Sequence, residues 1–230
     1  RRMAEAGYGA LWVSAYNRWP IMLSMLTRRG YRVAGTAYDE AREDLEIRLV
    51  KNLRPQRELR FALTEGCNFD CLFCHNEGLG TARRDKAPVE RILDVLGAAV
   101  ERGFTDLTLT GGEPLLARKR LGKLITGLGN LPTAPDLTLV TNGHALDAEA
   151  IGWLKDYPGG KKLHLSLHAT GPEMFARVTR AAPADFQRVC DNARAAAAAG
   201  LLVKVNFVVL RDINHRRVVE AVELVRDLGA

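Results

Sequence analysis

Three of the four cysteines fall in one short segment, Thr64-Glu-Gly-Cys67-Asn-Phe-Asp-Cys71-Leu-Phe-Cys74-His-Asn-Glu-Gly78. The spacing Cys-x3-Cys-x2-Cys puts three thiolates on one loop, enough for three corners of a cubane iron–sulfur cluster. The fourth iron then lacks a protein thiolate. The amine and carboxylate of an amino acid moiety would chelate it, and an electron could pass at close range to the molecule so bound. The rival chemistry is a structural zinc site with His75 or another residue as fourth ligand. Zinc sites favour paired two-ligand knuckles, and the sequence holds no second knuckle. Cys190 stands apart among Phe186, Val189 and Ala193, the setting of a packed small hydrophobe.

A second motif follows in Leu107-Thr-Leu-Thr-Gly111-Gly112-Glu113-Pro114. Two adjacent glycines let backbone approach a ligand closely, and Glu113 places a carboxylate beside them. Alone, a Gly-Gly pair would be a turn. Here it closes a strand that comes shortly after the cysteines.

The elements that must position these residues are legible from residue 58 onward. Strands are expected at Leu59–Thr64, Asp106–Thr110, Leu137–Thr141, Lys162–His168 and Leu201–Leu210. Helices are expected at Val89–Arg102, Leu121–Leu128, Ala148–Lys155, Ala184–Ala199 and Arg216–Leu228, with Pro88 opening the first and Gly103 and Gly200 closing two of them. Five βα units in a row imply a parallel sheet with helices outside. Chemistry in such sheets sits at the C-terminal ends of the strands. The expected fold class is therefore α/β. Residues 1–57 read as a separate small βα-type appendage: strand 10–15, helix 20–29, strand 31–37, then helical periodicity over Asp39–Asn52 through Leu45, Ile47, Leu49 and Leu53. Residues 58–230 read as the core domain.

Composition narrows the class. The chain has 230 residues, 47% hydrophobic and 26% charged, an ordinary globular balance. No run approaches the length of a membrane span. Trp19-Pro-Ile-Met-Leu-Ser-Met-Leu26 is too short for one and has no cleavage site after it, which places the protein in the cytoplasm and off the membrane. The net charge of +6 fits either a mildly basic surface or an anionic substrate such as a nucleotide. No motif with interleaved aromatics suggests nucleic-acid binding. Residues 1–57 are too short for a cobalamin domain and carry no Asp-x-His-x2-Gly pattern.

Cys67, Cys71 and Cys74, with Phe73 before the last, together with Gly111-Gly112-Glu113-Pro114, resemble the signature of the radical S-adenosylmethionine (SAM) superfamily. The resemblance covers roughly residues 58–230. Within it the chain is similar to the GTP 3′,8-cyclase of molybdenum cofactor biosynthesis and to nucleoside-antibiotic relatives of the octosyl acid phosphate synthase type. Arg60-Phe-Ala-Leu-Thr-Glu-Gly-Cys67-Asn, Val140-Thr-Asn-Gly143, Leu165-Ser-Leu-His-Ala169 and Val203-Lys-Val-Asn-Phe-Val-Val-Leu210 carry that likeness. The resemblance implies a partial TIM-like (β/α)6 barrel, a [4Fe–4S] cluster on the three cysteines, and SAM as cofactor. Phe73, Gly111, Gly112, Glu113, Thr141, Ser166 and Asn206 match the cofactor-binding positions. Arg60 and Lys204 would face substrate phosphate. His168 would face substrate or be a hydrogen-bonded histidine under the sheet edge, and Asn142 would shape its turn. No catalytic acid or base is implied.

Two departures shape the functional expectation. Thr105-Asp-Leu-Thr-Leu-Thr110 carries no positive charge where the cyclase family has basic residues. The chain also stops after its fifth βα unit, so the C-terminal part is expected to be missing, and a second [4Fe–4S] cluster belongs only with a further C-terminal region. These favour a nucleotide-cyclising relative that forms a carbon–carbon bond, in nucleoside antibiotic biosynthesis, over the GTP cyclase itself. Its partners would be a nucleotide and an electron donor such as flavodoxin or ferredoxin. The enzymatic alternatives are a radical SAM sugar dehydratase or a peptide maturase. The non-enzymatic one is a structural metal-binding partner protein, which leaves the Gly111–Pro114 segment unexplained.

Overall fold

The structure, a computed structural model, describes residues 10–52, 57–74 and 87–230. Arg1 and Arg2 and the segment His75–Gly78, with the suggested zinc ligand His75, lie outside the described residues. Two compact units divide at residue 56, and the second spans Arg57–Ala230.

The first unit contains β1 (Ala10–Tyr16), α1 (Pro20–Arg28), β2 (Arg32–Asp39) and β3 (Asp44–Asn52). The three strands form an antiparallel sheet in the order β1-β3-β2. The helix expected over Asp39–Asn52 is instead strand β3. Leu45, Ile47 and Leu49 recur every second residue, which suits one face of a strand, whereas a helical face needs spacings of three and four. Leu49 lies between Val13 and Val33 in the register and is fully buried with Ala15 and Leu26. The turn before β3 uses Glu43 at φ 48°, and Asp39 accepts from both the Tyr16 hydroxyl and Arg42. The small appendage is thus a three-stranded sheet with one helix.

The second unit holds β4 (Arg57–Ala62), α2 (Val89–Glu101), β5 (Phe104–Thr110), a 3-10 turn (Pro114–Ala117), α3 (Arg118–Gly129), β6 (Asp136–Thr141) and α4 (Ala148–Asp156). It continues with β7 (Lys161–Ser166), α5 (Pro172–Thr179), α6 (Asp185–Ala198), β8 (Leu202–Asn206), a second 3-10 turn (His215–Arg217) and α7 (Val218–Asp227). All four strand pairings are parallel, and the spatial order β4-β5-β6-β7-β8 follows the sequence. This is the α/β architecture of a partial barrel, open between β4 and β8. Each connection carries a helix back to the next strand, as parallel pairing demands.

Alternation divides the sheet into two faces. Leu107, Leu109, Leu137, Leu139, Leu163 and Leu165 are buried against Leu96, Leu121, Leu124, Leu128, Leu154 and Val189 of the helices. The concave face opposite carries polar residues instead. Two details differ from the sequence reading. Strand β8 stops at Asn206, because the segment after it is tied down by fully buried Asn214. Its side chain donates to the carbonyls of His168 and Val208 and accepts from the Leu210 amide. The other is α5, which the sequence reading left unassigned. No helix among the described residues is long and apolar enough to cross a membrane.

Leu139 sits on the central strand at 0% exposure. Leu139→Ala is expected to lower unfolding stability by about 2–5 kcal/mol. A denaturant titration reads this as a lower midpoint with an unchanged slope. A loss under about 1 kcal/mol would place the core elsewhere.

Candidate functional site

The cysteine loop leaves β4 through Leu63-Thr64-Glu65-Gly66, beside the loop that leaves β5 through Gly111-Gly112-Glu113. Hydrogen bonding between the two strands continues past their ends. The Leu63 amide donates to the Thr110 carbonyl (2.8 Å), the Gly112 amide to Thr64 (2.7 Å) and the Glu113 amide to Gly66 (2.8 Å). The glycines are needed for this approach. Gly111 has φ +145°, and a Cβ there would overlap the Thr64 carbonyl oxygen. A Cβ on Gly112 would overlap the Gly66 carbonyl and lie 2.8 Å from the Glu65 oxygen. The space beside both glycines is therefore filled by the backbone that leads into Cys67.

Glu113 is buried at 1% exposure and joins this pair of loops to the end of β6. One carboxylate oxygen accepts from the Leu115 amide (3.0 Å) and the Thr141 hydroxyl (2.7 Å). The other accepts from the Asn142 amide (2.7 Å). Burial pushes its pKa up to about 7, against these three donors, which favour the ionised form. Asn142 extends the connection, donating through Nδ2 to the Asn68 side chain (2.8 Å) and accepting from the His144 amide. Asn142 thus shapes its turn and also grips the cysteine loop.

Aromatic and backbone contacts hold the loop from its other side. Phe69 meets Phe175 of α5 and His144 edge-to-face, with centroids 5.4 and 5.7 Å apart. The His144 ring in turn bonds Asp185 at the start of α6 (3.1 Å). The Asp70 and Leu72 amides donate to the carbonyls of Thr179 and Val178 at the end of α5. The exposed Asp70–Arg180 ion pair adds little by comparison. Sequence reasoning missed Asn68, Phe69, His144 and Asp185. Their roles depend on which loops become neighbours, and no spacing signals that.

The three thiols so positioned are free, with Cys67 and Cys71 half-buried and Cys74 exposed. Burial and the neighbouring thiols push Cys71 up to about 12, and burial also raises Cys67. The thiols are close enough to feel one another. Among the described residues, no three His, Cys, Asp or Glu side chains converge to hold one metal ion. A cubane takes its thiolates on separate irons, so thiols that are near one another without converging suit a cluster better than a single ion.

Phe73 lies edge-on to His168, with centroids 4.4 Å apart. Nδ1 of His168 accepts from the Val208 amide (2.9 Å), which leaves the proton on Nε2. Burial lowers its pKa to about 4, so the ring is neutral. Ser166 and Asn206 are register partners at the last pairing of β7 and β8, on the concave face. Lys204 and Arg60 share that face. Thr141 does not join them. It pairs with Leu165 on the helix-facing side, donates to Glu113 and accepts from the Gly143 amide. The Arg60 guanidinium reaches the Thr110 hydroxyl at 3.4 Å.

Comparison with known proteins gives these features a context. A family model described as the radical SAM superfamily matches residues 61–225. The probable GTP 3′,8-cyclase of Pyrobaculum aerophilum is 33% identical over 181 residues, covering 77% of this chain and 56% of that protein. One from Saccharolobus islandicus is 37% identical over 177 residues, covering 76% and 55%. The chain spans about half the length of these curated relatives. Among solved structures, Streptococcus suis SuiB bound to precursor peptide SuiA superposes with a TM-score of 0.64 at 16% identity, over 92% of this chain and 41% of that one. At that identity the likeness is one of fold.

The glycine geometry predicts a contrast. Gly112→Ala forces backbone apart and is expected to cost about 1–3 kcal/mol and to lower iron retention after reconstitution. Gly152→Ala lies in helix α4, where a Cβ meets nothing within 4 Å, and is expected to be neutral or stabilising by up to about 1 kcal/mol. Thermal midpoints and iron content of the two variants check this.

Proposed function

The chain belongs to the radical SAM superfamily, and from that premise we propose that Cys67, Cys71 and Cys74 hold its [4Fe–4S] cluster and that it cyclises a nucleotide by forming a carbon–carbon bond. A [4Fe–4S] cluster and SAM are the cofactors of this chain. The donor set fits the cluster: three free thiols on one loop, near one another without converging. Held by Cys67, Cys71 and Cys74, such a cluster, when bound and reduced, would supply the one electron needed for reductive cleavage of SAM.

The protein's own residues bind, orient and exclude. The backbone bonds from Gly112 and Glu113 to the cysteine loop carry the reading, because they fix that loop at the C-terminal edge of the sheet. Ser166 and Asn206 lie side by side on the face that opens there and are assigned to SAM, together with the Gly111–Glu113 backbone. Thr141 and the Glu113 side chain act behind them, as positioning residues. Phe73 and His168 wall the site, and the Val208 amide holds the neutral His168 ring with its proton on Nε2. Arg60 and Lys204 are assigned to the substrate's phosphate. The electron donor would be a flavodoxin or ferredoxin.

The substrate class rests on the similarity to GTP 3′,8-cyclases and on the cations of the concave face. GTP itself is the second reading, favoured by the names of relatives at 33–37% identity. A uridine monophosphate derivative of nucleoside antibiotic pathways is the first, favoured by the absence of any positive charge in the strand Thr105–Thr110.

Anaerobic reconstitution, followed by SAM and dithionite, tests this through 5′-deoxyadenosine. Its formation is expected to rise with a nucleotide, GTP or an enolpyruvyl uridine monophosphate. Cys71→Ala is expected to lose the brown [4Fe–4S] absorption and SAM cleavage together. An intact cluster in that variant sinks the ligand assignment, and an intact wild-type cluster that never cleaves SAM sinks the activity.

A further inference from the structure

The concave face carries more positive charge than the phosphate assignment uses. Alternation places Glu58 and Arg60 of β4, Lys162 and His164 of β7, and Lys204 of β8 on that face, while Leu163, Leu165 and Val203 point into the core. His164 is the register partner of Lys204, and Lys162 lies two residues before it. The sheet also curls. Arg60 and Glu58, three strands away from β7, are within electrostatic reach of the His164 ring, as are Lys204 and Lys162. Strands β5 and β6 present only Thr108, Thr110, Thr138 and Val140 at these levels, with Asp106 and Asp136 at the lower end. Neither Lys162 nor Lys204 has an ion-pair partner among the described residues. Glu58 is the carboxylate nearest the group, and it accepts from the Thr108 hydroxyl (3.0 Å). Like charges gathered on one face repel, and a bound anion relieves that repulsion.

We propose that Lys162 and His164 complete, with Arg60 and Lys204, an anion-binding row on the concave face that takes the phosphate of the substrate, and that His164 takes up a proton as the phosphate binds. The proposal rests on the reading that the substrate is a phosphorylated nucleotide. In the free protein, burial and the cations Lys204, Lys162 and Arg60 hold His164 below its ordinary value, so it is neutral near pH 7. A phosphate dianion reverses the local field and favours the imidazolium. Binding therefore consumes up to one proton and strengthens as pH falls from 8 toward 7. Below about pH 6 the phosphate itself protonates and the gain ends. The uncharged hydroxyls of β5 leave β7 as the strand that sets how much negative charge the site accepts.

Calorimetry on the full cluster-loaded chain tests this. GTP, uridine 5′-monophosphate, their nucleosides and inorganic phosphate are titrated at pH 7.5 in two buffers of different ionisation enthalpy. Proton uptake is expected with the phosphorylated ligands and not with the nucleosides. His164→Gln is expected to abolish the uptake and to weaken phosphorylated ligands about 10-fold or more, with SAM affinity unchanged. Lys162→Gln, two residues before His164 on the same strand, is expected to weaken them without removing the uptake. It keeps the test available if the His164 variant folds poorly. Comparing GTP with the monophosphate tells whether the row takes a terminal or an α-phosphate. Equal losses for nucleotide and nucleoside overturn the row, as does wild-type protein that binds phosphorylated ligands without proton uptake. Uptake that depends on His164, but with no nucleotide raising 5′-deoxyadenosine, keeps the row and removes the nucleotide-cyclising reading instead.

Discussion

The close approach of two backbones at Gly111 and Gly112 is what the rest of the site depends on. A parallel pair ordinarily separates once its strands end. Here three more amide–carbonyl bonds carry the pairing of β4 and β5 into their loops, and only residues without a Cβ permit it. The first cysteine follows directly on Gly66, whose carbonyl receives the last of these bonds. The position of the thiols is thus inherited from the sheet through a short run of backbone. Glu113 then ties the same point to β6 with three accepted hydrogen bonds inside the core. A buried carboxylate without donors would be costly. With the Leu115, Thr141 and Asn142 donors in place, it becomes a three-way junction between the ends of β5 and β6 and the turn after Pro114.

The two faces of the parallel sheet answer different demands. The helix-facing side is almost wholly leucine, because burial of branched apolar side chains supplies the stabilising term and needs no polar partner. The concave side carries hydroxyls, amides and charges. Thr141 shows how strictly the faces are kept. It is polar, yet it belongs to the buried side and is tolerated there because its hydroxyl both donates and accepts. Ser166, one strand further on, occupies the open side.

Much of this was legible in the sequence, for identifiable reasons. The five parallel strands show as apolar runs that end in Gly, Asn or Thr, and their helices as amphipathic stretches closed by Gly103 and Gly200. The cysteine spacing and Gly111–Pro114 carry their chemistry locally. Other features did not show, among them helix α5 and the partners Asn68, Phe69, His144 and Asp185. Asp39–Asn52 has apolar residues at every second position among charges, and a reading that weighted Leu53 took the wrong period. The run Leu201–Leu210 is continuously strand-like, but the Asn214 side chain captures its second half into a loop. The glycines also admit the chain's own Thr64–Gly66 backbone, whose atoms are the nearest to their missing Cβ positions, and the Gly-Gly pair alone does not signal that approach. In each case a contact from outside the run itself decided the outcome, and the pattern within the run carries no record of it.

Charge is distributed along the strands with the same economy as polarity. Ser166 and Asn206 form the uncharged level nearest the cysteine loop. His164 and Lys204 lie two residues earlier, about 7 Å down the strands. Past Ser166 the chain reaches His168, which burial keeps neutral and which the Val208 amide holds in the Nε2–H form beside Phe73. The same residue type therefore serves two purposes four positions apart. His168 is held neutral by burial and by its bond from the Val208 amide. His164 stands among Lys162, Lys204, Arg60 and Glu58, so its charge responds to whatever anion enters. Strand β7 keeps Lys162, His164 and Ser166 on its open face because the alternating Leu163 and Leu165 are committed to the core at 0% exposure. Moving the register of β7 by one residue would exchange the two sets, burying Lys162 and His164 and exposing the leucines. The packing of the leucines against the helices is thus what keeps the cationic row facing the opening and away from the core.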